Sequence, residues 1–172
     1  MDPERIIEDK RLLALYRYWE SKRGDRTMPA RADIDPAEIP ALLPLILLVD
    51  VLGPGNYRYR LTGTEIVSNF GVDVTGKTFA EALPGGAYAE YIAGLASDVV
   101  STGRPLYSEG AFMAEGIVDR KVRRLVLPLS TDGHTVDMLL GGQTVIAANK
   151  DALKRTVPTD LPFSEGARAF LA

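Results

Sequence analysis

The sequence predicts an α+β domain: a five-stranded antiparallel sheet with helices over one face and a helical extension at the N-terminus. Three observations lead there. Segments of strand period arrive as neighbours joined by tight turns, which suits antiparallel pairing. A block of helical period separates the second strand from the third. An apolar stripe at helical spacing precedes them all.

Taken in order, residues 4–23 read as one amphipathic helix, with Leu12, Leu15, Tyr16 and Trp19 at i, i+3, i+4 and i+7 and Gly24 as its stop. Asp35 caps a short helix whose first residue is Pro36, and Pro44 ends it. Residues 45–52 are apolar and partly β-branched, Gly53 to Asn56 form a turn, and residues 57–62 alternate, so the three make a hairpin. Residues 64–70 form a short helix stopped at Gly71. Thr78 and Glu81 have capping-box spacing and open another, closed by Pro84-Gly85-Gly86. Residues 87–102 form a longer helix with Tyr88, Tyr91, Ile92, Leu95 and Val99 on one face and Gly103 after it. Three strands follow, at about 105–114, 121–130 and 136–147, with a hairpin turn at Thr131 to His134. The tail is polar, carries Pro158 and Pro162, and lacks periodicity, so it reads as an appendage. The organisation is therefore an N-terminal helical extension (1–40), a central domain (41–149) and a C-terminal tail (150–172).

Composition narrows the chemistry. Of 172 residues, 46% are hydrophobic and 25% charged, enough to bury a core. A net charge of -3 argues against a nucleic-acid or anionic-membrane partner, which would favour a basic patch. The absence of cysteine removes disulfides, thiolate catalysis, cysteine-ligated zinc and iron–sulfur clusters, and fits a reducing cytoplasm. The first residues mix acids with bases and have no apolar leader core, and the longest apolar run, Ala41 to Val49, is broken by Pro44 and too short for a membrane span. A cytoplasmic location is expected.

The element order resembles a PAS domain, five antiparallel strands with helices between the second and third. It is most similar to the PAS-like family of short, single-domain alphaproteobacterial proteins. The resemblance rests on Trp19 with Lys22-Arg23, MPARADIDPAEIPALLP (28–44), YRYRLTGTEI (57–66), FGVDVTGKT (70–78) and RRLVLPLS (123–130), and spans roughly residues 15–147. It implies a sensory or signalling role, and no catalytic residue carries over.

Gly71 to Thr78 matches the phosphate-loop pattern G-x-x-x-x-G-K-[ST], in which backbone amides, Lys77 and Thr78 would hold a nucleotide and magnesium. The required context is a strand before and a long helix after; here a short capped helix precedes it and a broken one follows. The expected role is a connection between helices. His134, the only histidine, falls in a turn, the helical block offers no axial histidine for haem, and a covalent flavin would need a cysteine. No cofactor, metal site or catalytic residue is therefore expected; a non-covalent flavin and an unidentified small ligand stay open, the latter against the alternative of a filled core. Asp33 with Asp35, and Asp50 with Glu65, read as caps and solvated charge.

For a ligand, the candidate residues are Tyr59, Arg60, Tyr88, Tyr91, Leu95 and Met138. Tyr88, Tyr91 and Leu95 share the helix face that should meet the sheet. Phe112, Met113, Leu125, Leu127, Met138 and Leu140 are partners in principle, although only one parity of each strand can face that helix. Arg60, if it faces inward, would anchor a carboxylate or phosphate; otherwise Arg58 and Arg60 meet solvent or nearby acids. Of the basic cluster Arg120, Lys121, Arg123 and Arg124, the last two must point to opposite faces. Leu12, Leu15, Tyr16 and Trp19 either pack on their own sheet or pair with a second copy, and they are the candidate interface of an expected homodimer. The leading expectation is a non-catalytic sensor that binds a small ligand or a signalling protein partner and signals through association. The alternatives are a structural adaptor with a filled core and a nucleotide-binding enzyme using Gly71 to Thr78.

Overall fold

In the computed structural model, which describes residues 2–83, 85–149, 152, 156 and 161–172, the strand-period segments pair into one antiparallel sheet. Its strands are β1 (Ile46–Gly53), β2 (Asn56–Thr62), β3 (Leu106–Ala114), β4 (Ile117–Leu129), β5 (Met138–Ala147) and β6 (Phe163–Phe170), in the order β2-β1-β5-β4-β3-β6. Five strands follow the sequence expectation closely. The sixth corrects it, because part of the tail pairs along β3 at the sheet edge. The polar run Ser164 to Arg168 looks out to solvent, so no strand alternation marks it; Phe163 and Phe170 at its ends turn toward the core. Tyr16 Oη donates to the Ala172 carbonyl and Leu171 N–H to the Pro105 carbonyl, fixing the tail against the domain. Pro84 and Pro158, expected as breakers, lie outside the described residues.

The predicted 4–23 helix is two helices. Asp2 caps α1 (Pro3–Ile6), and Asp9 interrupts the run because its carboxylate accepts from Arg11 N–H and Leu12 N–H, restarting the chain as α2 (Lys10–Arg23). Helix α2 lies on one face of the sheet. Opposite it Gly142 has no side chain; a Cβ there would come within 2.6 Å of Leu15 Cδ2 and 2.9 Å of Leu12 Cδ2. Leu12, Leu15, Tyr16 and Trp19 are buried to 2% exposure or less within the single chain, and Trp19 Nε1–H donates to the Pro128 carbonyl at 2.8 Å. The stripe therefore packs on its own sheet, one of its two expected alternatives, and helices cover both faces where one was expected.

The other face carries α3 (Thr64–Phe70), α4 (Phe79–Ala82) and α5 (Ala87–Thr102). Their bounds follow local chemistry. Gly71 closes α3 and Gly103 closes α5, both left-handed at φ 73° and 64°. Thr78 and Glu81 close the capping box on α4. Pro44 does not end a helix; it lies within the 3-10 turn Leu43–Leu45 that leads into β1. Among the described residues no helix is long and apolar enough to cross a membrane.

Candidate functional site

Parity along β5 sorts the site. Gly142 faces α2, so Leu139, Gly141 and Gln143 face α3 to α5. On β4 the residue opposite Gln143 is Arg124, which shares that face, while Arg123 points the other way to Glu109 (3.0 Å) and Glu8. The expected division of Arg123 from Arg124 is what the register produces.

Between this face and the helices is a cavity of about 150 Å³. Leu47, Val49, Leu139 and Gly141 form its floor, Ile66 and Phe70 of α3 and Phe79 of α4 one wall, and Tyr88, Ile92, Leu95 and Ala96 of α5 its roof. Two of the lining residues are small. Gly141 and Ala96 project little or nothing where larger side chains would interlock.

Five polar side chains interrupt the apolar lining: Tyr59, Thr62, Tyr88, Arg124 and Gln143. Arg124, 4% exposed, donates from Nε to Gln143 Oε1 and from Nη2 to Tyr88 Oη, each at 2.8 Å. Its Cζ stands 5.3 Å from the Tyr88 ring and 5.4 Å from the Tyr91 ring, within cation–π range. Among the described residues no carboxylate pairs with it, and neither Arg124 Nη1 nor Thr62 Oγ1 finds a hydrogen-bond partner. Burial raises the phenols of Tyr59 and Tyr88 above their ordinary range, with the Arg124 charge opposing in both cases, so both stay protonated.

Of the predicted ligand residues, Tyr59, Tyr88 and Leu95 line the cavity. Arg60 does not: it sits at a register shift in the β1–β2 ladder and, with Arg58, holds Asp50 on the opposite face (3.3 and 2.9 Å). Met138 has the parity of Gly142 and belongs to the α2 side. Tyr91 lies beside the cavity, its hydroxyl hydrogen-bonded to Ser108, and borders a separate depression with Phe163 and Arg168. Arg124, Gln143 and Thr62 are the site residues that sequence reasoning did not select. Glu65 is engaged by Arg11 at 2.6 Å rather than by Asp50, and His134 is exposed in the β4–β5 connection.

Gly71 to Thr78 has none of the expected phosphate geometry. The N–H groups of Gly71, Thr75, Gly76, Lys77 and Thr78 donate to Val67 O, Asp73 Oδ1, Tyr59 O, Val74 O and Glu81 Oε2. Those donors are committed to capping α3 and α4 and to fastening the segment along β2, where Tyr59 N–H returns a bond to Lys77 O. No group of three or more His, Asp or Glu suited to hold a metal ion occurs among the described residues.

A family model described as a PAS domain matches residues 7–144. The structure of the PAS domain from Bordetella pertussis BvgS matches with a TM-score of 0.50 at 22% identity, covering 69% of this chain and 88% of that one. At that identity the likeness shows the fold alone. No curated protein matches the chain significantly.

Proposed function

Because the chain belongs to the PAS domain family, whose members are generally sensory or signalling modules, we propose that it is a non-catalytic cytoplasmic sensor whose stimulus is a small molecule held in the cavity between α3–α5 and the sheet. The observation that carries this reading is the cavity itself, apolar over most of its wall and furnished with a few convergent polar groups, the pattern of a small-molecule site. The route outward follows from how its wall is attached. Helix α4 is capped by Thr78, and the segment before it is fastened to β2 through Tyr59, Gly76 and Lys77. β2 is an edge strand, and its Leu61 is 42% exposed. Filling the cavity presses on Phe79 and shifts the population of arrangements available at that edge. A second copy or a signalling protein docked there would read the change.

Native mass spectrometry of the purified chain, before and after denaturation, tests the reading. A small molecule that is retained by the folded protein, released on unfolding and lost from Ala96→Leu, which fills the roof, is the expected result. An empty protein that also fails to take up toluene would mean a closed core, and the adaptor reading would replace the sensor.

A further inference from the structure

The sensor reading leaves the chemistry of the ligand open, and Arg124 narrows it. We propose that the cavity takes a small organic acid, one carboxylate on a ring or short carbon chain, with the carboxylate paired to Arg124. This rests on the cavity being a ligand site.

A guanidinium has five N–H donors and a permanent charge. Here two donors are used, and both acceptors are neutral: the Gln143 amide oxygen and the protonated Tyr88 phenol. A buried cation without an anion is costly unless something compensates it, and the nearby aromatic rings supply only part of that. Among the described residues nothing accepts from Nη1, and the hydroxyl of Thr62, a second residue of the same cavity wall, has no partner either. A carboxylate supplies what is missing, a negative charge and two acceptor atoms in a plane that suits a guanidinium. The Tyr88–Arg124–Gln143 chain holds the guanidinium in place before any ligand arrives, which lowers the ordering cost of binding.

The remaining wall sets the rest of the ligand. A cavity of about 150 Å³ accommodates a body on the order of a benzene ring. Leu47, Val49, Ile92, Leu95 and Leu139 offer that body no polar partner. A dianion or a polyhydroxylated acid would leave charge or hydroxyls against these side chains, so a monocarboxylate with an apolar body fits best.

The test measures binding of benzoate, phenylacetate and hexanoate by calorimetry, with toluene as the uncharged probe, to the wild-type chain, Arg124→Met and Arg124→Lys. At least one acid should bind the wild type tenfold or more tightly than toluene. Arg124→Met should lose that margin while keeping toluene binding, which also shows that it is folded. Arg124→Lys should retain part of the margin. If toluene binds but no acid binds better, or if Arg124→Met binds the acids as well as wild type does, the carboxylate assignment is wrong and the cavity reading survives. If none of the four binds, both readings fall.

Discussion

Leu15→Ala should destabilise the isolated chain strongly and independently of its concentration. Leu15 is fully buried between α2 and the sheet, and its Cδ2 sits above Gly142. Removing the carbons beyond Cβ forfeits about 2.4 kcal/mol at ~0.8 kcal/mol per methylene. Gly142 has no side chain to move into the gap, so relaxation is limited and a cavity term adds to the loss, for a total of about 3–4 kcal/mol. For a chain of this size that lowers Tm by roughly 10 °C. The assay is thermal and urea unfolding at two protein concentrations a hundredfold apart. Emission from Trp19, the single tryptophan, reports docking of α2, while far-UV circular dichroism reports the whole fold. Leu52→Ala, the same chemical change at a side chain 45% exposed, serves as control and should cost under about 1 kcal/mol. A Tm loss under about 2 °C for Leu15→Ala, or a midpoint that climbs with protein concentration, would show that α2 finds its partner on another molecule.

Three further outcomes are expected. Thr78→Ala removes the hydroxyl that accepts from Glu81 N–H and donates to Glu81 Oε2; it should cost about 1 kcal/mol and speed amide exchange over Phe79–Ala82, and unchanged exchange there would count against the capping role. The Asp132 carboxylate is held below its ordinary 3.8 chiefly by Thr135 N–H, then His134 N–H and the Ser130 hydroxyl. A depressed carboxylate contributes stability above its unfolded value and loses it as pH falls through the folded one, so the gap between wild type and Asp132→Ala should be flat near neutrality and shrink below about pH 4; a gap that widens in acid contradicts the assignment. Gly110→Val places a Cβ 2.9 Å and 3.1 Å from two carbons of the Phe163 ring and should cost about 1–3 kcal/mol by overpacking while exposing the β6 amides to exchange; full protection of residues 163–170 would mean that β6 does not depend on this contact.

What the sequence disclosed was local, and what it withheld depended on partners far along the chain. Gly71, Gly103 and the Thr78–Glu81 box marked helix ends through bonds within a few residues, and α3 and α5 lie where those signals put them. The stripe of α2 announced that it needed burial, but periodicity does not name the surface that supplies it; Gly142 supplies it, 127 positions after Leu15. β6 was hidden because an edge strand with an exposed polar middle shows no alternation. Arg124 was readable in half: adjacency to Arg123 put the two on opposite faces, but which of them met α3 to α5 was settled only by the register against β5. The same choice of parity moved Met138 out of the site and brought Gln143 in.

The pairing of β1 with β5, Ile46 against Gly142, also fixes when the site can come into being. One hairpin, β1–β2, supplies Leu47, Val49, Tyr59 and Thr62; the later strands supply Arg124, Leu139 and Gln143. Each group can assemble from neighbours in sequence, but joining them requires closure of a loop of nearly a hundred residues, a slow, late event. Nothing that the finished chamber recognises has a place to bind before that seam shuts. On the proposed reading, an occupant would act as a latch on the completed protein, slowing its reopening, and not as a template that hastens its assembly.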